Sequence, residues 1–320
     1  MSQFNIYRST DTSAPILNGT TGSVLTVFDA CLVNGYGSQP AAGWTKPFPN
    51  TGACTGCYQP LSGSKLNLVV LDDGVSFSTS LAKMVGFETL TNAATGTNQF
   101  GIYGSASTQN IRKSSTTDAT ARSWIMFADA YTFYFFNKST ELGNSYLGHS
   151  FGDFYSMVGT GDLYRTVLIA NTYQQGGLST SSFTFDLGDY VSSSVGGHYT
   201  PRNSQGVYTT VNGINMNKHG DIAKGASETV MQGSISYPNT ADNGLYLSPV
   251  WIAEPSSTNS VIRGKLRGIY HVLSPASNFT DQQTFNGVGD FVGKSFMILK
   301  PTPSTCVYCV EISNTLDTNI

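Results

Sequence analysis

The sequence predicts a mainly β fold: a β-rich α+β chain of short antiparallel strands with one clear helix near the N terminus, at about residues 22–34. Charged residues make up only 12% of the chain, about half the usual share, while 34 residues are Gly. Aromatic residues also make up 12%, with 17 Tyr and 18 Phe. Aromatic side chains suit pleated sheets and Gly suits tight turns, so this composition favours short strands joined by tight loops.

The helix is predicted over residues 22–34 because its apolar residues repeat with a period of 3.6. They fall at i, i+1, i+3, i+4, i+7 and i+8, namely Val24, Leu25, Val27, Phe28, Cys31 and Leu32. Thr20 or Thr21 is expected to cap the start, and Asn34-Gly35 is expected to supply a left-handed stop. Cys31 lies on the apolar face, so we expect it to be a small buried hydrophobic residue.

Strand-like segments fill the rest of the chain, separated by Gly, Asn or Pro. Residues 123–127 and 131–137 flank Ala128-Asp129-Ala130, which predicts a hairpin. Strands and helices do not alternate steadily, so a parallel α/β sheet is not expected. The other predicted strands are 65–71, 163–170, 182–187, 207–211, 229–237, 245–253, 261–273, 295–300 and 307–312.

We expect residues 1–320 to form a single β-rich structural unit, because the chain is long enough to bury a large core. The segments 176–182 and 191–197 are rich in Gly and Ser and are interpreted as exposed loops or a hinge. A division near residue 175, into 1–175 and 176–320, is therefore kept as an alternative.

Charge and hydropathy argue against several classes of partner. The net charge is −3 and the pI is about 5.7, so no basic surface for nucleic acid is expected. No run of 18 apolar residues occurs, so no membrane-spanning helix is expected. The N-terminal residues Met1-Ser2-Gln3-Phe4-Asn5 lack the features of a signal peptide. We expect synthesis in a cytoplasm and release by a route other than secretion, such as lysis.

Residues Gly148-His149-Ser150-Phe151-Gly152 match the G-x-S-x-G pattern of α/β-hydrolases. That pattern works where a strand delivers Ser at a sharp turn before a helix. The flanking residues predict neither the strand nor the helix. We therefore expect Ser150 to have no catalytic role and the protein not to be an enzyme.

Two C-x-x-C pairs, Cys54/Cys57 and Cys306/Cys309, lie near opposite ends of the chain. All four are candidates for disulfides that form after release from the reducing cytosol. The spacing also permits structural zinc at Cys54, Cys57, Cys306 and Cys309, but the long separation of the pairs argues against one zinc module. Unpaired thiols are the third alternative. On a strand, Cys306 and Cys309 point to opposite faces.

The remaining polar residues predict no cofactor and no metal centre. Histidines are scattered and expected to be structural or on the surface: His149, His198, His219 and His271. Asp72-Asp73-Gly74 lacks the further acidic residues of a calcium loop and predicts a turn. Arg263, Lys265 and Arg267 alternate along a predicted strand, so we expect a solvated or subunit-facing edge.

Several sequence blocks together resemble a family of tailed-bacteriophage virion structural proteins, and the resemblance covers most of the chain. The N-terminal blocks are Tyr7-Arg8-Ser9-Thr10-Asp11, Leu32-Val33-Asn34-Gly35-Tyr36-Gly37 and Ala41-Ala42-Gly43-Trp44-Thr45. The later blocks are Leu71-Asp72-Asp73-Gly74, Gly86-Phe87-Glu88, Arg112-Lys113-Ser114, Asp118-Ala119-Thr120-Ala121-Arg122, Phe151-Gly152-Asp153-Phe154-Tyr155-Ser156 and Tyr246-Leu247-Ser248-Pro249-Val250-Trp251. No catalytic residue carries over from this family.

The resemblance implies a non-enzymatic structural component of a phage particle, present in many copies on the capsid exterior, neck or collar, or tail. Its expected partners are other virion proteins and copies of itself, as a homo-oligomer, with no nucleic acid and no membrane. The expected location is the virion, assembled in the host bacterial cytoplasm and released by lysis. The alternative is a receptor- or glycan-binding particle protein of the tail-fibre or baseplate kind, with Trp44, Trp124 and Trp251 as stacking platforms.

Overall fold

The computed structural model describes residues 4–52, 54–74, 80–101, 109–141, 146–159, 161–172, 198–209, 214–216, 235–254, 261–300 and 307–313. Over these residues the chain consists mainly of antiparallel strands, with a single α-helix near the N terminus and two one-turn 3₁₀ helices at Ala276–Asn278 and Gly289–Phe291. The predicted mainly β fold with one N-terminal helix is confirmed. In this part of the chain, no helix has the length and apolar character needed to cross a bilayer.

The described strands are numbered in chain order. The first seven are β1 (Asn5–Arg8), β2 (Trp44–Thr45), β3 (Thr55–Pro60), β4 (Asn67–Leu71), β5 (Leu81–Leu90), β6 (Gly96–Phe100) and β7 (Gln109–Arg112). The next seven are β8 (Trp124–Ala128), β9 (Thr132–Asn137), β10 (Leu147–Asp153), β11 (Tyr155–Ser156), β12 (Thr166–Ile169), β13 (Asn171–Thr172) and β14 (His198–Tyr199). The last six are β15 (Asn215–Met216), β16 (Leu247–Glu254), β17 (Val261–Val272), β18 (Thr284–Asn286), β19 (Ser295–Leu299) and β20 (Tyr308–Glu311).

These strands form three antiparallel sheets. The central sheet has the order β1-β8-β9-β10-β12-β14. The helix-side sheet has the order β13-β7-β5-β4-β3-β2, with β6 also paired to β5. The C-terminal sheet has the order β15-β16-β17-β20-β19-β18, with β11 also paired to β17.

The central sheet is the middle layer because both of its faces are buried. Phe133 and Phe135 of β9 belong to a helix-side core, which contains residues of the helix-side sheet and the helix. Tyr134 and Phe136, from the opposite face, belong to a C-terminal core shared with the C-terminal sheet. All six residues of β9 are buried, which explains why this strand reads as an unbroken aromatic run instead of an alternating pattern.

The predicted helix is confirmed as one continuous helical segment with two geometries. α1 (Ser23–Phe28) continues directly as a π-helix over Asp29–Asn34. At its end the Gly35 N–H donates to the Ala30 carbonyl at 2.8 Å, five residues back. Gly35 adopts a positive φ of 77°, but its ψ of 169° lies outside the left-handed helical region that the predicted stop requires. Cys31 is fully buried as predicted.

The helix start differs from the prediction. Gly22, not a threonine, is the N-cap residue, and no N-cap side chain bonds the helix. Asp72, which follows β4, supplies the missing acceptor: its Oδ2 accepts the Val24 N–H at 2.9 Å. The prediction that Thr20 or Thr21 caps the helix was wrong, because a carboxylate from a distant segment accepts the N–H that a local hydroxyl would have accepted.

The predicted hairpin is confirmed, since β8 and β9 pair antiparallel around residues 129–131. Predicted strands at 65–71, 163–170, 245–253, 261–273, 295–300 and 307–312 correspond to β4, β12, β16, β17, β19 and β20. The prediction at 207–211 was wrong over its described residues, which form a loop with one bridge between Tyr208 and Arg202. Residues 235–237 are likewise not a strand. The prediction at 182–187, residues 229–234 and the alternative boundary near 175 lie outside the described residues.

Candidate functional site

The G-x-S-x-G residues lie inside β10, an interior strand of the central sheet. Ser150 is aligned with Tyr134 of β9 on one side and with Ile169 of β12 on the other. Its side chain is fully buried, and its Oγ has no hydrogen-bond partner. A hydrolase nucleophile needs an exposed hydroxyl on a sharp turn before a helix. Here Ser150 lies within a buried interior strand, so the geometry supplies neither access nor activation.

His149 is buried beside Ser150, and neither ring nitrogen has a hydrogen-bond partner. Burial lowers the pKa of His149 to about 3, so the ring is neutral at physiological pH. His198 lies on β14 and His271 on β17, in different sheets, and His219 is outside the described residues. Among residues whose placement is described, no group of three or more His, Cys, Asp or Glu residues is arranged to hold a metal ion.

The described cysteines are free thiols in separate environments. Cys54 packs against the helix-side core, whereas Cys57 lies in a cluster with Val69 and Val85 on the outer face of the same sheet. Cys309 belongs to a third cluster, on the outer face of the C-terminal sheet. Burial raises the pKa of both the Cys57 and Cys309 thiols. Cys306 is outside the described residues, so disulfide formation and the zinc alternative stay predictions.

The expectation of a solvated or subunit-facing edge at Arg263, Lys265 and Arg267 is wrong. All three lie on β17, which pairs with β16, β20 and β11 and is interior to its sheet. Their residues are buried, with 0%, 6% and 4% of their surface exposed. Burial of an arginine requires ionic partners, and carboxylates from distant parts of the chain supply them to Arg263 and Arg267.

Arg263 is the centre of a buried ionic cluster. Its guanidinium bonds both carboxylate oxygens of Asp162 at 2.8 Å and Glu254 Oε1 at 3.0 Å. It also donates to the backbone carbonyls of Tyr164 and Arg202. Burial alone would raise the pKa of Asp162, but the hydrogen bonds and charge of Arg263 lower it below its ordinary value. Three segments that are distant in sequence, around Asp162, Arg202 and Arg263, are thereby held at one position.

The cluster continues to the helix-side sheet. Glu254 Oε2 accepts the Ser204 hydroxyl at 2.7 Å. Two carboxylate oxygens of Glu88, on β5, accept from Arg202 at 2.6 and 2.8 Å. The Arg202 guanidinium also lies 4.3 Å from the centre of the Tyr164 ring. This bidentate pair connects the loop that contacts Arg263 to the helix-side sheet.

A second buried ion pair connects the central and C-terminal sheets. Arg267 Nη2 lies 2.7 Å from Asp129 Oδ2, in the turn of the β8–β9 hairpin. The guanidinium is also 4.5 and 5.0 Å from the ring centres of Tyr131 and Tyr155. The Tyr134 hydroxyl donates to the Arg267 carbonyl at 2.9 Å. The two sheets are therefore linked by polar contacts as well as by the C-terminal core.

A third buried pair lies at the start of the helix. Lys113 Nζ forms an ion pair with Asp72 Oδ1 and donates to the Thr20 carbonyl, and both charged side chains are fully buried. Burial raises the pKa of Asp72 to about 6 even though the charge of Lys113 opposes it. Burial likewise lowers the pKa of Lys113. The sequence predicted only a turn at Asp72.

Exposed apolar side chains gather on the segments that Arg263 holds together. The Met157 N–H donates to the Arg263 carbonyl at 2.7 Å, Leu163 follows Asp162, and Val207 closes a turn in the Arg202 loop. These segments and the start of β17 carry five of the ten large apolar side chains exposed in the described part of the chain. We call this set the Arg263 surface: Met157, Leu163, Val207, Val261 and Ile262, which are 51–78% exposed.

The tryptophans are not equivalent. Trp44 and Trp124 are buried in the helix-side core, where their indole N–H groups donate to the carbonyls of Asp129 and Pro15. Their rings therefore offer no face to an external ligand. Trp251 is half-buried on β16 and is the one member of the predicted set with an accessible surface.

No family model matches the chain, and no curated protein is significantly similar to it.

Proposed function

We propose that this chain is a non-enzymatic structural component of a tailed-phage virion. It is present in many copies and contacts other virion proteins and copies of itself on the capsid exterior, neck or collar, or tail. The sequence blocks that resemble virion structural proteins support the class of particle. The Arg263 surface supports a role in subunit contacts, and it is the observation that carries the proposal.

The polar and apolar groups on the segments that Arg263 joins suit a protein interface. Arg263, a residue type that usually reaches solvent, is buried and paired, while Met157, Leu163 and Ile262 are more than half exposed. Exposed apolar groups that lie together mark interaction sites, and charge is depleted at the centres of such sites. Burying each of these side chains against a partner would contribute on the order of 1 kcal/mol or more. The buried ions fix the backbone that presents them.

The test uses recombinant protein and purified particles of the phage that encodes the chain. Leu163→Asp with Ile262→Asp puts two charges on the Arg263 surface without touching a described ionic contact. We expect the variant to keep its circular dichroism spectrum, lose self-association by light scattering, and fall at least tenfold in copies per particle by quantitative mass spectrometry.

The matched control is Ile16→Asp with Leu61→Asp, because both residues are similarly exposed but lie outside the Arg263 surface. We expect this control to assemble as the unchanged protein does. Normal incorporation of the Leu163→Asp and Ile262→Asp variant would contradict the assignment of the interface. Absence of the protein from particles would contradict the proposed function itself.

The second candidate is a receptor- or glycan-binding particle protein, favoured by the half-buried position of Trp251, which leaves part of the residue accessible. Trp251→Ala separates the two. A receptor binder would lose binding of the free protein to host cells, whereas a structural component would not bind cells and would incorporate into particles normally.

A further inference from the structure

We propose that Lys113 and Asp72 condense in the folded protein to form an intramolecular amide bond between Lys113 Nζ and Asp72 Cγ, with release of one water. The bond would join the residues that follow β7 and β4, two strands that both pair with β5. This inference rests on the buried pair alone and is independent of the proposed function.

The surroundings of the pair isolate it from solvent. The charged side chains of Lys113 and Asp72 are each 0% exposed. The Lys113 amine has two acceptors in this site, Asp72 Oδ1 and the Thr20 carbonyl. The second oxygen of Asp72, Oδ2, accepts the Val24 N–H at 2.9 Å. The amine and the carboxyl group therefore stay together in one orientation, with no access to bulk water.

Burial favours the protonation states that amide formation requires. The reaction needs a neutral amine as the nucleophile and a neutral carboxylic acid as the acceptor. Burial raises the pKa of Asp72 to about 6 and lowers the pKa of Lys113, so transfer of one proton from Lys113 to Asp72 is easier than in water. Two neutral groups also avoid the desolvation penalty of a buried ion pair.

The contacts of the pair suit each step of the condensation. The Lys113 Nζ lone pair attacks Asp72 Cγ, and negative charge develops on Oδ2, which the Val24 N–H stabilises. One proton then moves from Nζ to the Oδ1 hydroxyl. Oδ1 leaves as water, the carbonyl re-forms at Oδ2, and the N–H that remains on Nζ donates to the Thr20 carbonyl. Atoms balance without an oxidant, metal or other reactant.

Proximity lowers the entropic barrier that the same two groups face in solution. Well-oriented intramolecular reactions reach effective concentrations of about 10⁵–10⁸ M. Exclusion of water also slows the reverse hydrolysis. By contrast, the Lys46–Asp29 pair is 18% and 22% exposed, so solvent stabilises its ions. In the Lys294–Glu311 pair the lysine is likewise 17% exposed, whereas both side chains of Lys113–Asp72 are fully buried.

The experiment is the intact mass of purified protein in denaturant. We expect a mass lower than the sequence mass by about 18 Da, one water. After trypsin digestion, tandem mass spectrometry should find residues 66–83 joined to residues 113–122 through Asp72 and Lys113, because an acylated lysine is not cleaved. A wild-type protein that keeps its full sequence mass after days at neutral pH would overturn the proposal.

Three variants complete the test. Lys113→Met removes the nucleophile, and Lys113→Arg keeps the positive charge but cannot condense in the same way, so both should have their full sequence mass. Both masses can be read in denaturant even if a variant is insoluble. Lys46→Met, which removes a lysine from a pair that is partly open to solvent, should keep the loss of about 18 Da. If Lys113→Met still lacked about 18 Da, the water would have been lost at another position, for example by ring closure at Asp73-Gly74. That result would refute the amide bond.

Discussion

Removal of the Asp129 carboxylate tests whether buried ion pairs hold the sheets together. Asp129→Ala leaves the Arg267 guanidinium buried without its charged partner, in a residue only 4% exposed. The same change removes the acceptor of two backbone N–H groups, those of Tyr131 and Thr132, which bond Asp129 Oδ1 at 2.8 and 2.9 Å. The hairpin turn and the contact between sheets are therefore perturbed together.

The expected cost follows from these contacts. Breaking a buried ion pair from one side costs about 3–5 kcal/mol, and unsatisfied buried N–H groups add to that cost. The rings of Tyr131 and Tyr155 still stack on Arg267 and offset a part of the loss. We expect Asp129→Ala to lower the free energy of unfolding by about 4 kcal/mol. Lys46→Met, at a pair that is partly open to solvent, should cost no more than about 1 kcal/mol.

The assay is urea unfolding followed by tryptophan fluorescence and circular dichroism, with coincident transitions required for a two-state analysis. Arg267→Met and the Asp129→Ala/Arg267→Met double variant complete a mutant cycle. We expect the double variant to be less destabilised than the sum of the single variants, because it leaves no buried charge unpaired. Strict additivity, or a cost for Asp129→Ala no greater than that of Lys46→Met, would refute the reasoning.

Four further predictions concern individual polar and thiol groups. Folding lowers the pKa of His149 from 6.5 to about 3, so the free energy of unfolding should fall as the pH decreases from 6.5 towards 3. In urea titrations, His149→Leu should reduce this dependence of the free energy of unfolding on pH. Ser150→Ala should leave the fold intact, and the unchanged protein should not be labelled by a fluorophosphonate, because the Oγ is buried and unpartnered; labelling at Ser150 would contradict this. In the folded protein, Cys54 should be alkylated before the buried Cys57 and Cys309. In mature particles, non-reducing peptide mapping should show at least partial oxidation of Cys54, Cys57, Cys306 and Cys309. Free thiols at all four positions, or stoichiometric zinc by metal analysis, would contradict this.

Local periodicity explains the parts of the fold that could be predicted. The 3.6-residue period located the helix, since the spacing of Val24, Phe28 and Cys31 places them on one face whatever they pack against. The turn at Asp129 located the β8–β9 hairpin because its two strands are adjacent in sequence. The flanks of Ser150 lacked the pattern of an elbow, and the structure places that residue inside β10.

Other strands were missed where local signals were weak. β10 contains two glycines, a histidine and a serine, and its burial depends on the two sheets that cover the central one. The sequence of β3 likewise includes Gly, Gln and Pro. Strand propensity depends on neighbours across the sheet, so such segments become recognisable only when their partners are known.

Composition and local pattern determined that this chain is mainly β, has one amphipathic helix near its N terminus and lacks the flanks of a serine nucleophile. Only the tertiary structure decided where the charges lie. Arg263 meets Asp162 across 101 positions of the chain, and Arg267 meets Asp129 across 138. Asp72 likewise contacts Lys113, 41 residues away in sequence, and Val24 at the start of the helix, 48 residues away. Side-chain periodicity is a property of neighbouring residues, whereas the pairing of buried ions depends on the order in which distant strands join their sheets.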